Sequence, residues 1–467
     1  MKDIIQPIAY DNFGREKRKF LPIIPGQNTG YYNNNLLDAN GNLTATALNF
    51  FNNPNDAIAD DSHPFSETVF EKSPLNRVLK QGAPGAVWQP NENISTNDKS
   101  VKIEYTSNGS NEVFSWEITS LGDCKLTSNH YYAPNELYVT ITKDENWSST
   151  QTYPLAGTIR EYKDKQGRVV LKRSYNINNT GNGVDTYDTY YVYDDFGNLR
   201  VVIPPEGINK LGSQLTQIDE GPNVMVVTSN LTLTGTSNKK YYYCPGVTVT
   251  LSPNFTGSTG FELAPYPLSA NLMDQYLFSY KYDGLNRLIE KKVPGAQPVY
   301  MVYDARDRLV LTQDGEQRKT NNWLFTKYDA LNRPVLTGQK MINSTRSIVQ
   351  TDVNNYYQSN LTKFYEYRSG TSTTDDLGYS DQSYPTGLTN SNYLTATYYD
   401  NYGFISNSNL NYPGSPPSPY NGNVRLTAPK GQVTGGKVKN LKTSVWVESA
   451  MYYDKNIVRS MQHRPIT

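Results

Sequence analysis

Carboxylates, histidines and thiols are the residues of this 467-residue chain that could carry chemistry. Paired acids stand at Asp60-Asp61 and at Asp375-Asp376, with Asp381 nearby. Such pairs suit proton transfer or calcium, but neither follows the ligand spacing of a calcium loop, and both read as solvated loop acids. His63, His130 and His463 fall in no His-Glu-x-x-His or comparable pattern, so no metal site is expected. Cys124 and Cys244 form no zinc spacing and have no adjacent histidine to activate a thiolate; they are one bridge or two buried thiols. The sequence contains no Gly-x-Ser-x-Gly elbow, phosphate loop or dinucleotide glycine pattern. Neither an enzyme nor a cofactor is expected.

A different acid recurs with regular company. Tyr-Asp-x-x-Gly-Arg is read at Tyr10-Asp11, Tyr193-Asp194, Tyr282-Asp283, Tyr303-Asp304, Tyr328-Asp329 and Tyr399-Asp400, with weaker copies opening at Asp164 and Ser73. A type I turn favours Asp, Asn or Ser at its first position, where the side chain accepts from the turn backbone. Asp11, Ser73, Asp164, Asp194, Asp283, Asp304, Asp329 and Asp400 fill it. Three residues later a hairpin needs a residue that tolerates positive φ. Gly14, Asn76, Gly167, Gly197, Asn286, Asp307, Asn332 and Gly403 stand there. The Arg that follows can reach back to the Asp or stack on a neighbouring Tyr. These residues are expected to define turns rather than to react.

The elements that hold such turns are strands. Aromatic and apolar alternation precedes each turn, as in Phe278-Ser279-Tyr280-Lys281-Tyr282, and runs such as Leu309-Val310-Leu311 follow. Pro22, Pro84, Pro205 and Pro294 lie at one offset beyond their turns and mark strand ends. Asn108-Gly109, between Val101–Tyr105 and Val113–Ile118, is read as a further hairpin turn. A lone hairpin is marginal in water, so the units must pair edge to edge. The fold class is therefore all-β, a continuous curved or spiralling sheet of repeated hairpins. Three regions are expected: hairpins over 1–205, a β-rich insertion at 206–275, and hairpins again over 276–467. Evidence for helix is thin, with Leu268–Phe278 the best candidate, and Pro413–Pro419 reads as a polyproline-like loop.

Composition narrows the function. Lys+Arg and Asp+Glu are both 44, so no net charge draws the chain to nucleic acid. Apolar residues are only 37%, yet there are 38 Tyr against 14 Phe, which suits thin, half-wet β layers. No apolar run reaches a membrane span, and the N-terminal segment lacks the apolar core of a signal peptide. Tyr131, Tyr132, Trp147, Tyr241 and Tyr242 are candidate glycan contacts by ring stacking, with sheet packing as the simpler reading.

The repeat resembles that of the Rhs, or YD-repeat, family. Ile141–Trp147 and Trp323–Asp329 are similar to linking segments of Bacteroidetes Rhs proteins. The resemblance implies a hollow shell that encloses a C-terminal effector, or a surface protein, at an extracellular or cell-surface location. The sequence departs from the family in lacking the Asp-Pro-x-Gly segment of the C-terminal core, so no self-cleavage site is carried over. A ninth unit at Tyr453-Asp454 has Ile457 where Gly is expected. The chain is read as part of a shell wall whose partners are the remainder of its polypeptide or an enclosed effector. A surface adhesion or glycan-binding module is the alternative; a hydrolase using Asp375 or Asp376 is a third.

Overall fold

A computed structural model describes residues 4–24, 35–52, 60–91, 98–118, 124–214, 224–227, 231–243, 248–259, 261–265, 275–369, 377–405, 408–412, 426–453 and 459–464. The chain divides into two compact units, Met1–Leu277 and Phe278–Thr467. The insertion expected at 206–275 falls inside the first.

In the first unit ten strands form one antiparallel ladder. They are β1 (Ile8–Tyr10), β2 (Glu16–Phe20), β3 (Phe65–Phe70), β4 (Val78–Gly82), β5 (Val101–Ser107), β8 (Tyr138–Lys143), β9 (Thr158–Lys163), β10 (Val169–Ile177), β11 (Val184–Tyr193) and β12 (Leu199–Ile203). Each pairs with the next in that order. β6 (Phe114–Ile118) and β7 (Cys124–Tyr131) pair only with each other among the described strands. A short helix α1 (Ala45–Leu48) lies between β2 and β3, and α2 (Pro205–Gln214) follows β12. Strands β2, β4 and β12 end two residues before Pro22, Pro84 and Pro205, as a residue without an N–H requires. The core is drawn from alternate strand positions, including Val139, Tyr162, Leu171, Tyr190, Val192, Val201 and Ile203.

Asn108-Gly109 is not the hairpin turn expected. β5 pairs with β8, and the β6–β7 hairpin is looped out between them. The reason is Asn108 itself, which is buried and staples the base of that loop. Its Nδ2 donates to the Ala133 carbonyl at 2.8 Å, and its Oδ1 accepts from Leu137 N at 2.7 Å.

The insertion departs from the hairpin rule altogether. β13 (Val224–Val227), β14 (Leu231–Leu233) and β15 (Thr236–Ser237) recur as β16 (Lys240–Tyr243), β17 (Val249–Leu251) and β18 (Thr256–Gly257). β19 (Glu262–Pro265) begins a third coil. Pairing is parallel throughout: Val224 faces Lys240, Lys240 faces Glu262, Leu231 faces Val249 and Thr236 faces Thr256. Three successive short strands each stack on their counterpart one coil on. Leu233 and Tyr241 fill the middle, with Phe255, Phe261 and Leu263 against them.

The second unit is a ten-strand antiparallel meander in strict chain order. It runs β20 (Phe278–Tyr282), β21 (Leu288–Lys292), β22 (Val299–Tyr303), β23 (Leu309–Gln313), β24 (Asn322–Tyr328), β25 (Pro334–Met341), β26 (Tyr393–Tyr399), β27 (Val433–Lys439), β28 (Trp446–Tyr453) and β29 (Arg459–Arg464). α3 (Gly315–Lys319) joins β23 to β24. Between β25 and β26 lies α4 (Arg346–Ser359), which buries Val349, Val353 and Tyr357 at four-residue spacing, one helical face. That face packs with Val302, Val310, Trp323, Phe325, Leu336, Tyr393 and Tyr398. Neither ladder closes on itself among the described residues. Residues 268–274 of the helix candidate and the whole of 413–419 lie outside the described residues.

Candidate functional site: a repeated acid–arginine clamp on one rim

In an antiparallel ladder, connections alternate between the two rims. The turns at 11–15, 71–77, 164–168 and 194–198 therefore share one rim of the first ladder. Those at 283–287, 304–308 and 329–333, with the loop 400–432, share one rim of the second. Each unit thus lines up its Tyr-Asp turns.

The turn chemistry is nearly identical from copy to copy. In those opened by Asp11, Asp164, Asp283, Asp304 and Asp329, one carboxylate oxygen accepts from the backbone N–H two residues on at 2.9–3.0 Å. The same oxygen accepts from the N–H of the Arg at 2.9–3.0 Å. The other oxygen accepts from that Arg's Nε at 2.6–2.8 Å. At Asp194 the Arg position is Asn198, and Arg200 reaches the carboxylate instead at 3.4 Å. The closing residues lie in the left-handed region: Gly14 at φ +74°, Gly167 and Gly197 at +81°, Asn76 at +55°, Asn286 and Asp307 at +59°, and Asn332 at +62°. A register shift beside the Tyr or Phe of these hairpins, as at Val192/Tyr193 and Val302/Tyr303, absorbs the extra residue as a bulge.

Two copies are built differently. Gly403 does not adopt a left-handed conformation; Asp400 does, at φ +70°. The hairpin is closed from the far end of a long loop, where Gly431 (φ +78°) donates its N–H to Asp400 Oδ1 at 2.7 Å and Asp400 N–H donates to Gln432 O at 3.1 Å. The chain leaves the turn because Tyr402 and Phe404 stack on Tyr452 and Tyr398 in the core. In the second copy Ser73 accepts from Leu75 N at 3.2 Å, but Glu71 holds the arginine. Its carboxylate receives Arg77 Nη2 at 2.7 Å and Ser73 Oγ at 2.7 Å. The longer Glu side chain spans a turn two residues wider. Sequence reasoning missed Glu71, although the aromatic–acid pair Phe70-Glu71 was its signal. It also missed Asp38, whose carboxylate caps Asn40 N and Asn42 N with Gly41 at φ +74°, without the flanking Tyr or Arg.

The arginines do more than close their own turns. Each lies over an aromatic ring of a later strand, which in all but Tyr105 opens a turn: Arg15 over Phe70 at 4.6 Å, Arg77 over Tyr105 at 4.7 Å, Arg168 over Tyr193 at 5.0 Å, Arg287 over Tyr303 at 5.0 Å, Arg308 over Tyr328 at 4.9 Å and Arg333 over Tyr399 at 4.2 Å. The five tyrosine hydroxyls donate to the carbonyl of the residue just after that arginine, at 2.7–3.2 Å. Nη1 of Arg15, Arg287 and Arg308 donates to the closing residue of the following turn, Asn76, Asp307 or Asn332. The signature is thus half a turn and half a staple to its neighbour.

At Gly197 the closing residue has no side chain to accept from the preceding arginine. A Cβ built on Gly197 would sit 3.8 Å from Arg168 Nη1, with no closer contact. Gly197→Asn is expected to be neutral or stabilising by up to about 1 kcal/mol, because the amide supplies the missing acceptor. Gly197→Val is expected to destabilise by about 1–2 kcal/mol through backbone strain alone. Denaturant midpoints of the two variants check the ordering.

Charge shifts follow the geometry. The Arg77 guanidinium beside Glu71 holds its carboxyl down from 4.5 to about 2. Burial raises the Asp98 carboxyl, but Lys80 and Ser100 donors outweigh it and bring it to about 2. Burial likewise opposes, and the Arg287 donors overcome, at Asp283, which is lowered. Arg333 lowers Asp400. These groups ionise more readily folded than unfolded, so their stabilisation is full above their unfolded values and lost as pH falls. Stability measured by denaturant is expected to decline between pH 4.5 and about 2, and a flat profile there would contradict the clamp.

The second unit also holds a buried ion cluster that the sequence did not announce. Lys327 Nζ donates to Glu366 Oε1 at 2.9 Å, Asp381 Oδ1 at 2.6 Å and Ser383 O at 2.8 Å. Glu366 is further bonded by Ser380, Gln382 and Ser383. Asp381 is therefore an ion-pair partner of a buried lysine rather than the solvated loop acid expected; Asp375 and Asp376 lie outside the described residues. Asp61 caps the His63 and Ala86 N–H groups, and His63 meets Ser62 Oγ at 2.9 Å. Cys124 is buried with its thiol pushed up by desolvation; Cys244 and the side chains of His130 and His463 lie outside the described residues. Among the described residues no group of three or more His, Cys, Asp or Glu could hold a metal ion, and no helix is long and apolar enough to cross a membrane.

The candidate glycan rings are not gathered into one place. Tyr131 stacks on Phe114 at 4.9 Å and, with Tyr132, lines an open cleft of about 400 Å³. Trp147 carries the Lys143 ammonium over its ring at 4.0 Å and donates to Pro154 O. Tyr241 is buried in the coil insertion, and the Tyr242 side chain lies outside the described residues.

A family model for a domain of unknown function, DUF6443, matches residues 1–103. Among curated proteins none matches the chain. Among solved structures the chain is similar to the TcdB2-TccC3-Cdc42 crystal structure, with 13% identity and a TM-score of 0.35 over 98% of this chain. It is similar also to TcdB2-TccC3-TEV, with 13% identity and a TM-score of 0.36 over 99%. The chain spans 17% and 18% of the length of those chains.

Proposed function

We propose that this chain is a wall segment of a structural shell or scaffold of the Rhs, YD-repeat kind, and that it works by continuity rather than by catalysis. One observation carries the reading: arginine after arginine is shared between its own turn and a later hairpin. A surface built so is stiff along the direction of repetition, which a wall needs and a catalytic cleft does not. Of the candidate acids, Asp61 is engaged in a cap and Asp381 in an ion pair. The partner is the remainder of its own polypeptide or an effector that the wall encloses or presents, at an extracellular or cell-surface location; the repeat resemblance supports this.

Negative-stain electron microscopy of the purified chain tests the reading. Curved walls bounding a stain-filled lumen support it. Solid particles with no concave face, or a hydrolytic turnover abolished by Asp376→Asn, would overturn it.

A further inference from the structure

One cleft of the second unit lies apart from the clamp and has chemistry of its own. It encloses about 650 Å³ and is lined by Tyr300, Arg318, Asn321, Asn343, Arg346 and Ser347 among others. That volume falls in the range of small-ligand sites. Arg318 is pre-positioned: Nη1 donates to Gln313 O at 3.2 Å, Nη2 to Pro298 O at 2.5 Å, and the guanidinium lies over Tyr300 at 4.3 Å. These bonds use carbonyls, so its charge has no carboxylate opposite it among the described residues. Arg346 is less satisfied still. It forms no ion pair among the described residues, and its Nη1 is shielded from water without a hydrogen-bond partner. Glu290 also lines the cleft, but it is paired with Lys281 at 3.1 Å.

The position of Arg346 sharpens the anomaly. It opens α4, where the aligned peptide dipoles already favour negative charge. The hydroxyl of the cap residue Thr345 caps no helix N–H, meeting Ser347 Oγ at 3.1 Å instead, and the first turn contains no acid. A cation has been placed at a positive helix end, half-buried, with no ion-pair partner among the described residues, the nearby Glu290 being paired with Lys281. The arrangement becomes favourable when an anion occupies the cleft.

We propose that this cleft binds an oxyanion, a carboxylate or phosphate group on a polar ligand, with Arg346 as the principal contact and Arg318 as the second. The exposed Asn343 and Ser347 supply hydrogen bonds to the ligand's polar body. The proposal is independent of the wall reading.

Isothermal titration of the full chain with D-glucuronate and with inorganic phosphate, at fixed ionic strength, tests it, with D-glucose as the neutral control. At least one anion is expected to bind and glucose not to. Binding of glucuronate alone identifies a carboxylate ligand, and of phosphate alone a phosphate ligand. Arg346→Gln is expected to weaken binding about tenfold or more, and Arg346→Lys less, since it keeps the charge but loses the planar fork. Asn343→Asp, at an exposed position in the same cleft lining and outside α4, is expected to weaken it by adding a negative charge. Failure of both anions to bind, or wild-type affinity in Arg346→Gln, would overturn the assignment.

Discussion

Asp304→Ala is expected to destabilise the second unit by about 3–5 kcal/mol, far more than an ordinary turn substitution. Asp304 is 0% exposed and Arg308 9%, so the pair is sealed from water where its counterparts are partly wet. The carboxylate receives Arg306 N at 2.9 Å, Arg308 N at 3.0 Å, and Arg308 Nε and Nη2 at 2.8 and 2.6 Å. Its loss leaves a buried guanidinium whose remaining contacts, the Asn332 amide oxygen, the Phe364 carbonyl and the Tyr328 ring, carry no negative charge. Removing one partner of a buried pair costs more than the pair contributes, because the other charge stays desolvated. Equilibrium urea unfolding measures it, with the exposed Asp195→Ala as a control expected within about 0.5 kcal/mol of wild type. A loss below about 1 kcal/mol, the level of a surface pair, would mean that water reaches Arg308.

Lys327→Met should be comparably severe, by about 3–5 kcal/mol, and for a different structural reason. Lys327 is 1% exposed and Glu366 1%, and the lysine ties the segment between α4 and β26 to β24. Without the ammonium, two carboxylates face each other with no cation. The triple variant Lys327→Met, Glu366→Gln, Asp381→Asn is expected to recover most of the loss, because no uncompensated charge remains. Should the triple variant be as unstable as Lys327→Met alone, the damage comes from packing rather than charge. Hydrogen exchange adds a spatial check: amides of 360–369 and 377–392 should lose protection before those of β22 and β23.

What could be read in the sequence was what is encoded within six consecutive residues. An acceptor at the first position and a left-handed residue three places on are local requirements, so Asp304 and Asp307 announce their turn without tertiary information. The same reasoning misplaced Gly403 because a looped-out segment supplies Gly431 as the closing residue, and a short window cannot see across it. Asn108-Gly109 failed for a related reason: the pair looks like a hairpin turn, yet the Asn108 amide is engaged with Ala133 and Leu137, far along the chain. The parallel coils of 224–265 use strands of two to four residues, too short to show any period. α4 was hidden because its apolar face is only Val349, Val353 and Tyr357 in a polar stretch. The Lys327 cluster joins residues 39 and 54 positions apart, and no spacing rule connects them.

Because the ring on which each clamp arginine is stapled belongs to a later strand, the ladder has a direction. Shortening it from the carboxyl side leaves an arginine with an idle flank, which water solvates cheaply. Shortening it from the amino side deprives the first surviving tyrosine of both its cation and its carbonyl acceptor, as Tyr303 would be without Arg287 and Leu288. Nested truncations should therefore fail asymmetrically: such a polypeptide tolerates a missing tail better than a missing head, and a ribosome building it delivers each support before the residue that leans on it.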